Sequence, residues 1–223
     1  MRITFIGSGN VATHLALAMH QRGHQIDQIW SRNIQHAQYL AERVEAQPIN
    51  DFSQLHTSGA TPIKILKKTS THYGVLWSPQ SFVRDVALDY NELPFCIEGC
   101  DKETEQFIEE FIGMISPHIY HTTHNQRQYL HLASVYVNNF TNGLYAVAQQ
   151  LCAKHKVPFE ILHPIITTTA KRVQWGDVRY QLTGPAVRGD EKTLNAHRKL
   201  LTNDPQALAL YDSFTELLQQ LKK

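Results

Sequence analysis

The chain has 223 residues, 42% of them hydrophobic, which is enough to bury the core of one large domain or of two small ones. Its net charge of +1 gives no electrostatic reason to bind nucleic acid, and no apolar run approaches the roughly 20 residues of a membrane span. Its three cysteines, without further Cys or His at zinc spacing, argue against a disulfide framework and a metal site. These features predict a cytoplasmic protein that binds neither nucleic acid nor membranes.

The N-terminal stretch MRITFIGSGNVATHLALAMHQRGHQIDQIWSRN follows a strand, turn, helix and strand pattern. A short apolar strand, Ile3 to Ile6, leads into the turn GSGNVA, which has the form GxGxxA. Apolar residues then recur at helical spacing until Gly23, where a helix C-terminal glycine is expected, and Gln25 to Trp30 forms a second strand. Glycine turns also occur for purely structural reasons, but one placed between a strand and a helix predicts a dinucleotide-binding site.

The start of this helix is predicted to hold the pyrophosphate, because its amides and the positive end of its dipole attract an anion. An NAD site usually carries an acidic residue at the end of the second strand, and an acid there would repel a 2′-phosphate. Ser31 and Arg32 stand at this place and favour NADP, unless Arg32 is merely a surface arginine. The residues expected at the cofactor are Gly7, Ser8, Gly9, Asn10, Val11, Ser31 and Arg32.

The stretch from Gln47 to His56 lacks an element that the predicted domain needs. A nucleotide-binding sheet places a further strand beside the first one, across the crevice that holds the cofactor. Nothing between Gln47 and His56 is long or apolar enough to supply that strand. Either the domain is truncated at its own cleft, or a piece of a few tens of residues is missing from the sequence near Leu55 and His56; we expect the second.

The rest of the first domain alternates between helices and strands. Asn33 to Glu45 has one apolar face and predicts a helix. Strand candidates follow at Tyr73 to Trp77 and at Leu93 to Glu98, and a helix is predicted from Lys102 to about Ile115. We therefore expect a dinucleotide-binding domain with a doubly wound, mostly parallel sheet over residues 1–117.

From His124 onward the hydrophobic pattern is helical, so residues 118–223 predict a second, all-helical domain. The segment NQRQYLHLASVYVNNFTNGLYAVAQQLCAKH predicts one long helix with a polar stripe. Because unsatisfied polar groups are costly in a core, the stripe faces water, a partner or a ligand, or it forms a hydrogen-bonded network between helices. The stripe consists of His131, Ser134, Asn138, Thr141 and Asn142.

Two later stretches, ITTTAKRV and LTGPAVRGD, combine hydroxyl, turn and charged residues. Each of them forms a loop between helices, or both complete a pocket if they lie near the polar stripe. In the first case Arg188 and Asp190 are a surface pair worth under about 1 kcal/mol. Two helices are expected after them, Glu191 to Leu201 and Pro205 to Leu221.

Several blocks together suggest a family: IGSGNVA, HTSGATP, YGVLWSPQSF, YLHLASVYVNNFTNGLYA and TGPAVRGD. Over nearly the whole chain they resemble proteins that join a Rossmann-like N-terminal domain to a helical C-terminal domain of unknown function. These proteins are often named, by similarity, NADP oxidoreductases or deazaflavin-dependent-type oxidoreductases. Relatives have a strand and a helix before the block that matches HTSGATP. More distantly, the architecture is similar to pyrroline-5-carboxylate reductase, ketopantoate reductase and the β-hydroxyacid dehydrogenases.

The resemblance implies a C-terminal domain of the 6-phosphogluconate dehydrogenase C-terminal-like type, which forms a homodimer and closes the active site. A small-molecule substrate would then lie between the two domains, with Ser58 and Gly59 near the nicotinamide. The further residues expected at the substrate are Gln80, Asn142, Thr183 and Arg188.

One departure from these enzymes concerns the proton donor. The β-hydroxyacid dehydrogenases carry a lysine one turn before an asparagine on the first long helix of the second domain. Here Ser134 stands one turn before Asn138 and Val135 before Asn139, so no lysine is available. Hydride transfer to a carbonyl needs a proton source, and His131 is the candidate, with Ser134 and Asn138 orienting the substrate. An imine nitrogen can bind already protonated and needs less from a side-chain acid. The missing lysine therefore favours a C=N substrate over a C=O substrate.

Two hypotheses follow from this reasoning. The first is an NADP-dependent oxidoreductase that transfers a hydride between NADP(H) and a small C=N or C=O substrate. The second is a non-catalytic NADP-binding sensor or scaffold, whose polar stripe is a buried network. The missing lysine favours the second hypothesis and a polar pocket facing the cofactor would favour the first, which we prefer by analogy of fold.

Overall fold

The computed structural model describes residues 2–31, 33–49, 55–67, 72–83 and 86–221. The chain forms two compact units, Met1–Asn139 and Phe140–Lys223. This division falls later than the domain boundary expected near Pro117. The physical reason is that the first helix after Pro117 packs on the sheet of the first unit through a buried arginine, Arg127.

The first unit alternates between strands and helices, as its sequence pattern predicts. Its first half contains β1 (Arg2–Ile6), α1 (Asn10–Gln21), β2 (Gln25–Trp30), α2 (Ile34–Arg43) and β3 (Gln47–Ile49). Its second half contains β4 (Leu55–His56), β5 (Gly74–Trp77), β6 (Phe95–Gly99), α3 (Lys102–Gly113), β7 (Ile119–His121) and α4 (His124–Ser134).

Among the described residues the strands form two sheets, in the orders β1-β2-β3 and β4-β5-β6-β7. All pairs are parallel except β5 with β6, which is antiparallel, so the mostly parallel prediction is confirmed. β1 lies at one edge of the first sheet and β4 at one edge of the second. The expected missing strand belongs beside β1, just before β4 in the chain; residues 50–54 lie outside the described residues, and the missing segment stays a prediction.

One apolar core lies between the first-unit helices and the sheets. Side chains from α1, α2 and α3 meet inward residues of β1, β2, β5 and β6 in this core. Local signals fix where two of the helices begin: Asn33 accepts from the N–H of Gln35 at 3.0 Å, and Asp101 accepts from the N–H of Thr104 at 2.8 Å. Buried members of this core include Leu15, Met19, Ile29, Leu40, Ile97 and Ile112.

A second, smaller cluster lies on the other face of the four-stranded sheet. It consists of Ile63, Val75, Trp77 and Cys96. Helix α4 reaches this face, because it contacts the side chain of Glu98 on β6 and the ring of Trp77 on β5. Thr123 begins α4 with a capping box that also involves Gln126.

The predicted long helix is confirmed, with one irregularity. After α4 the chain makes a π-helical turn, Val135–Phe140, and continues as α5 (Thr141–Lys154). The second unit then contains α6 (His163–Arg172), α7 (Pro185–Arg188), α8 (Glu191–Leu200) and α9 (Pro205–Leu221). Within the described part of the chain, no helix combines the length and the hydropathy needed to cross a membrane.

Candidate functional site

The glycine turn after β1 is shaped to receive an anion. Gly7 has a φ of +110°, a region that favours glycine, and its N–H donates to the carbonyl of Trp30 at 2.8 Å. Gly9 is the N-cap of α1, so no cap side chain bonds to the helix amides, and no acidic residue lies in the first turn. The amides at the start of α1 therefore receive no acceptor from the cap residue, which is the arrangement found at phosphate-binding helix starts.

The loop after β5 is tied to the first turns of α1. Asn10 Nδ2 donates to the Phe82 carbonyl at 2.7 Å, and His14 Nε2 donates to the Val83 carbonyl at 3.0 Å. The Tyr90 hydroxyl donates to the His14 carbonyl at 2.9 Å. The side chain of Asn10 therefore holds the loop, while its backbone N–H lies in the first turn of α1, next to that of Val11.

The residues predicted to choose between NADP and NAD follow the end of β2. Ser31 is buried, with 8% of its surface exposed. Arg32 lies outside the described residues. The role of Ser31 and Arg32 at a 2′-phosphate therefore stays a prediction.

A cavity of about 430 Å³ lies at the carboxyl end of β5, within the first unit. One wall is the loop that follows β5, and the other is formed by α4 and the π-helical turn. Carboxyl ends of strands are where open α/β sheets bind their ligands. The lining residues are Trp77, Ser78, Pro79, Gln80, Ser81, His131, Ser134, Val135, Val137, Asn138 and Asn139.

Four predicted site residues meet at this cavity. Gln80 comes from the loop, whereas His131, Ser134 and Asn138 come from the polar stripe of the long helix. Spacings of three and four residues place these stripe residues on one helix face. The cavity is thus lined by amide, hydroxyl and imidazole groups that can bind a small polar molecule and exchange a proton with it.

His131 is the one titratable side chain among the described lining residues. Its ring centroid lies 6.0 Å from that of Trp77, with the planes tilted by 53°. The Ser134 hydroxyl donates to the Leu130 carbonyl at 2.8 Å, so its proton is engaged within the helix and its lone pairs remain for a ligand. An imidazole can exchange a proton near neutral pH, so His131 remains the candidate acid or base of the site.

Ser58 and Gly59, predicted near the nicotinamide, form the turn behind Trp77. A Cβ added to Gly59 would come within 2.7 Å of Trp77 Cε2, so only glycine lets the indole lie this close. Ser58 Oγ accepts from the N–H of Thr61 at 3.2 Å and from its hydroxyl at 2.8 Å, which closes the turn. Both residues shape the cavity wall through Trp77, and their direct contact with a nicotinamide stays a prediction.

The sequence pattern did not identify Trp77 and Ser78 as residues of the site. Ser78 is buried, with 4% of its surface exposed, and its hydroxyl has no partner among the described residues. A polar residue that directly follows a wholly buried strand, GVLW, was the available signal. Because buried hydroxyls normally find a partner, Ser78 is suited to bonding a molecule in the cavity.

Sequence reasoning also did not identify the pair of Arg127 and Glu98. Arg127 is fully buried; its Nη1 lies 2.5 Å from Glu98 Oε2, and its Nη2 donates to the Thr61 carbonyl at 3.4 Å. Nearby, burial lowers the pKa of His56, and the positive charge of Arg127 lowers that pKa further. The available signal was that Arg127 and His131 are four apart and share a helix face.

The remaining predicted substrate residues belong to the second unit. Asn142 is exposed on α5. Arg188 Nη1 donates to the carbonyl of Thr183, and its Nη2 lies 4.0 Å from Asp190 Oδ2, so this arginine is engaged within its own loop. Roles for Asn142, Thr183 and Arg188 at a substrate stay predictions.

Comparisons with known proteins identify the family and the fold of the chain. Residues 93–217 match the family model described as "Domain of unknown function (DUF2520)", and residues 2–61 match the model described as "NADP oxidoreductase coenzyme F420-dependent". A search of curated proteins gives no match. Among solved structures, a candidate NADP oxidoreductase from Bacteroides fragilis is 31% identical, with a TM-score of 0.88, over 98% of this chain and 98% of that chain.

Two further structures share the fold at lower identity. A protein from Thermotoga maritima is 20% identical, with a TM-score of 0.81, over 100% of this chain and 99% of that one. An imine reductase from Streptomyces aurantiacus is 11% identical, with a TM-score of 0.66, over 99% and 94% of the two chains. The chain belongs to the DUF2520 family, and its N-terminal domain is that of a nicotinamide-dinucleotide oxidoreductase. The predicted Rossmann-like fold with a mostly helical C-terminal part is confirmed.

Proposed function

We propose that this member of the DUF2520 family is an NADP-dependent oxidoreductase that reduces a C=N or C=O bond of a small molecule. One observation carries the proposal: the loop after β5 connects the cavity to the first turn of α1. Ser81 lines the cavity, and the next residue, Phe82, accepts a hydrogen bond from Asn10 at the start of α1. A dinucleotide held by its pyrophosphate at α1 would thus extend along this loop toward His131.

The residues at α1 fit the pyrophosphate of such a cofactor. Gly9 leaves the amides at the helix start without a side-chain acceptor, and Gly7 lets the backbone approach closely through its positive φ. Ser31 and Arg32 are proposed to bind the 2′-phosphate. When bound, NADPH supplies a hydride to the carbon of the substrate's double bond.

The heteroatom of that double bond takes up a proton, and we assign its delivery to His131. The amides of Gln80 and Asn138 orient the substrate, and Ser78 offers a buried hydroxyl with no partner in the described chain. The wall formed by Trp77 keeps water from one side of the cavity. A C=N substrate demands least of His131, because its nitrogen can enter already protonated.

We further propose that the protein works as a homodimer in the cytoplasm, assembled through its second unit. Large apolar side chains are exposed there: Ile161 at 66%, Trp175 at 71%, Tyr180 at 88% and Leu200 at 78%. Such a density of exposed apolar groups on one unit is expected to be covered by a partner. Cys96, Cys100 and Cys152 form no disulfide, which fits a reducing compartment.

Thermal shift measurements with NADPH and NADH test the cofactor. A ligand at 100 times its Kd stabilises the native state by about 2.7 kcal/mol, so the proposal expects a larger shift with NADPH. Arg32→Ala should abolish the difference, whereas Arg22→Ala, another arginine of the first unit, should retain it. Equal shifts of the wild type with both nucleotides would overturn the choice of NADP.

Activity is tested by following NADPH absorbance with a panel of cyclic imines, ketones and aldehydes. The proposal expects oxidation of NADPH with at least one of them, fastest with an imine. Tight binding of NADPH without turnover on any C=N or C=O compound would instead support a sensor or scaffold.

A further inference from the structure

A charged group that is fully buried needs a reason, and Arg127 is the largest fully buried side chain of the described protein. Removing a guanidinium from water is expensive, and the ion pair with Glu98 compensates only in part. Its Nε also has no hydrogen-bond partner among the described residues. A plain apolar residue would fill this position with less cost to stability, so packing alone does not account for Arg127.

The position of Arg127 on α4 relates it to the candidate acid. Arg127 and His131 are four residues apart, so both side chains leave the same face of the helix, about 6 Å apart along its axis. Arg127 reaches Glu98 on β6, and His131 reaches the ring of Trp77 on β5.

Residues 96 and 98 of β6, in the sheet that α4 packs on, have a spacing close to that of Arg127 and His131. Glu98 pairs across the sheet with Val75, and Cys96 pairs with Trp77. Residues 96 and 98 are therefore on one face of β6 and separated by about 6.6 Å. The distance from Arg127 to His131 along α4 nearly equals the distance from Glu98 to Cys96 along β6. When Arg127 is anchored at Glu98, His131 therefore lies near Trp77, the cross-strand neighbour of Cys96.

The same arginine also reaches the turn that backs the indole. Its Nη2 donates to the carbonyl of Thr61, and Thr61 closes the turn in which Gly59 lies against Trp77. Arg127, on α4, thus contacts Glu98 on strand β6 and the carbonyl of Thr61 in the turn behind Trp77. Helix, strand and turn together fix the distance between His131 and Trp77.

We propose that the ion pair between the buried Arg127 and the partly exposed Glu98 is a positioning device, which holds the imidazole of His131 at the cavity wall. Neither Arg127 nor Glu98 is among the residues that line the cavity. They act through α4 and the Ser58–Thr61 turn. The catalytic importance of this positioning rests on the proposed function. The effect of the pair on the distance between His131 and Trp77 does not depend on any activity.

The test compares three variants with the wild type. Glu98→Leu with Arg127→Met removes both charges and keeps apolar volume, a replacement that buried ion pairs often tolerate. Arg127→Lys keeps a cation but lacks the planar fork that serves Glu98 and Thr61 together. Arg22→Met is the matched control, because it removes an arginine of the same unit that lies outside the cluster.

The first readout is a nuclear Overhauser contact between the rings of His131 and Trp77 in selectively labelled protein. The contact is expected in the wild type and in Arg22→Met, weakened in Arg127→Lys and absent in the double variant. Persistence of the full contact in both Arg127 variants overturns the proposal even if the protein has no reductase activity. If the double variant does not fold, Arg127→Lys decides alone.

The second readout is kinetic. We expect kcat to fall about tenfold or more in the double variant, with the Kd for NADPH unchanged within a few-fold. In the His131→Ala background, the same double substitution should lower kcat no further. Merely structural damage would instead add to the effect of His131→Ala. Additive losses overturn the positioning role while leaving the proposed oxidoreductase intact; absence of turnover in the wild type overturns the oxidoreductase and leaves the first readout valid.

Discussion

The two units of the chain differ in how many of their apolar side chains are buried. In the first unit, helices and strands bury a continuous core that includes Leu40 and Ile97, both fully buried. In the second, Ala186, Leu194, Leu201 and Thr215 are the buried members of the described residues. A buried leucine contributes about 1.5–3 kcal/mol, so hydrophobic burial stabilises the first unit more than the second.

This contrast separates two roles. The first unit contains the cavity, the candidate acid and the uncapped helix start, all held by a packed core. The second unit presents apolar residues that suit assembly. We therefore expect substitutions in the first unit to change chemistry or folding, and those on the second to change association.

The largest effect is expected from His131→Ala. Loss of a general acid lowers rates by about 10²- to 10⁴-fold, while the Kd for NADPH stays within a few-fold because α1 is unchanged. Steady-state kinetics and nucleotide titration measure the two quantities. His163→Ala on α6 is the control and should leave kcat unchanged; full turnover by His131→Ala would remove this residue from the mechanism.

A matched pair of leucines sharpens the comparison of stability. Leu40→Ala deletes a residue that is 0% exposed, and we expect a loss of about 2–5 kcal/mol in the free energy of unfolding. Leu200→Ala deletes one that is 78% exposed, and at monomer concentrations we expect a loss under about 0.5 kcal/mol. Urea denaturation measures both. Equal losses would mean that the second unit has a core of its own.

Association is probed by a charge on the second unit. Trp175 is 71% exposed, and burying it against a second copy would make it a strong interface contact. Trp175→Asp should weaken the dimer about 30-fold or more in sedimentation equilibrium. Ile65→Asp, in the first unit at a residue that is 63% exposed, should not weaken it. A wild type that is monomeric at micromolar concentration contradicts the proposed dimer.

The smallest effect concerns His121, on the surface of the first unit. Its Nδ1 lies 3.2 Å from Glu105 Oε1 and its Nε2 lies 3.3 Å from Glu109 Oε2, and the hydrogen bond to Glu105 is the main cause that raises its pKa above 6.5. A raised folded-state pKa adds stability that is complete below pH 6.5 and is lost as the pH rises through the raised value.

Because His121 is about half exposed, this contribution is under about 1 kcal/mol. Thermal unfolding as a function of pH should show a shallow loss of stability as the pH rises above 6.5. Glu105→Gln should flatten that slope, and an unchanged slope in this variant would show that the pair with Glu105 does not stabilise the fold.

Local signals predicted much of the first unit. β2 ends at Trp30 and Gly23 follows α1 with a φ of +80°, as the sequence pattern indicates. These features depend on neighbouring residues, on turn chemistry and on helix caps, which a sequence displays directly. The meeting of Gln80 with His131 required more, because two segments distant in the chain had to be brought to the same cavity.

The sequence by itself determined the dinucleotide-binding pattern, the polar stripe and the change to helical periodicity, because each is written in residues a few positions apart. Only the tertiary structure decided that Arg127 is buried against Glu98, that α4 belongs to the first unit and that Trp77 forms a cavity wall. Burial and ion pairing depend on which surfaces meet in space, and a periodic pattern shows that a face is apolar or polar without showing what covers it.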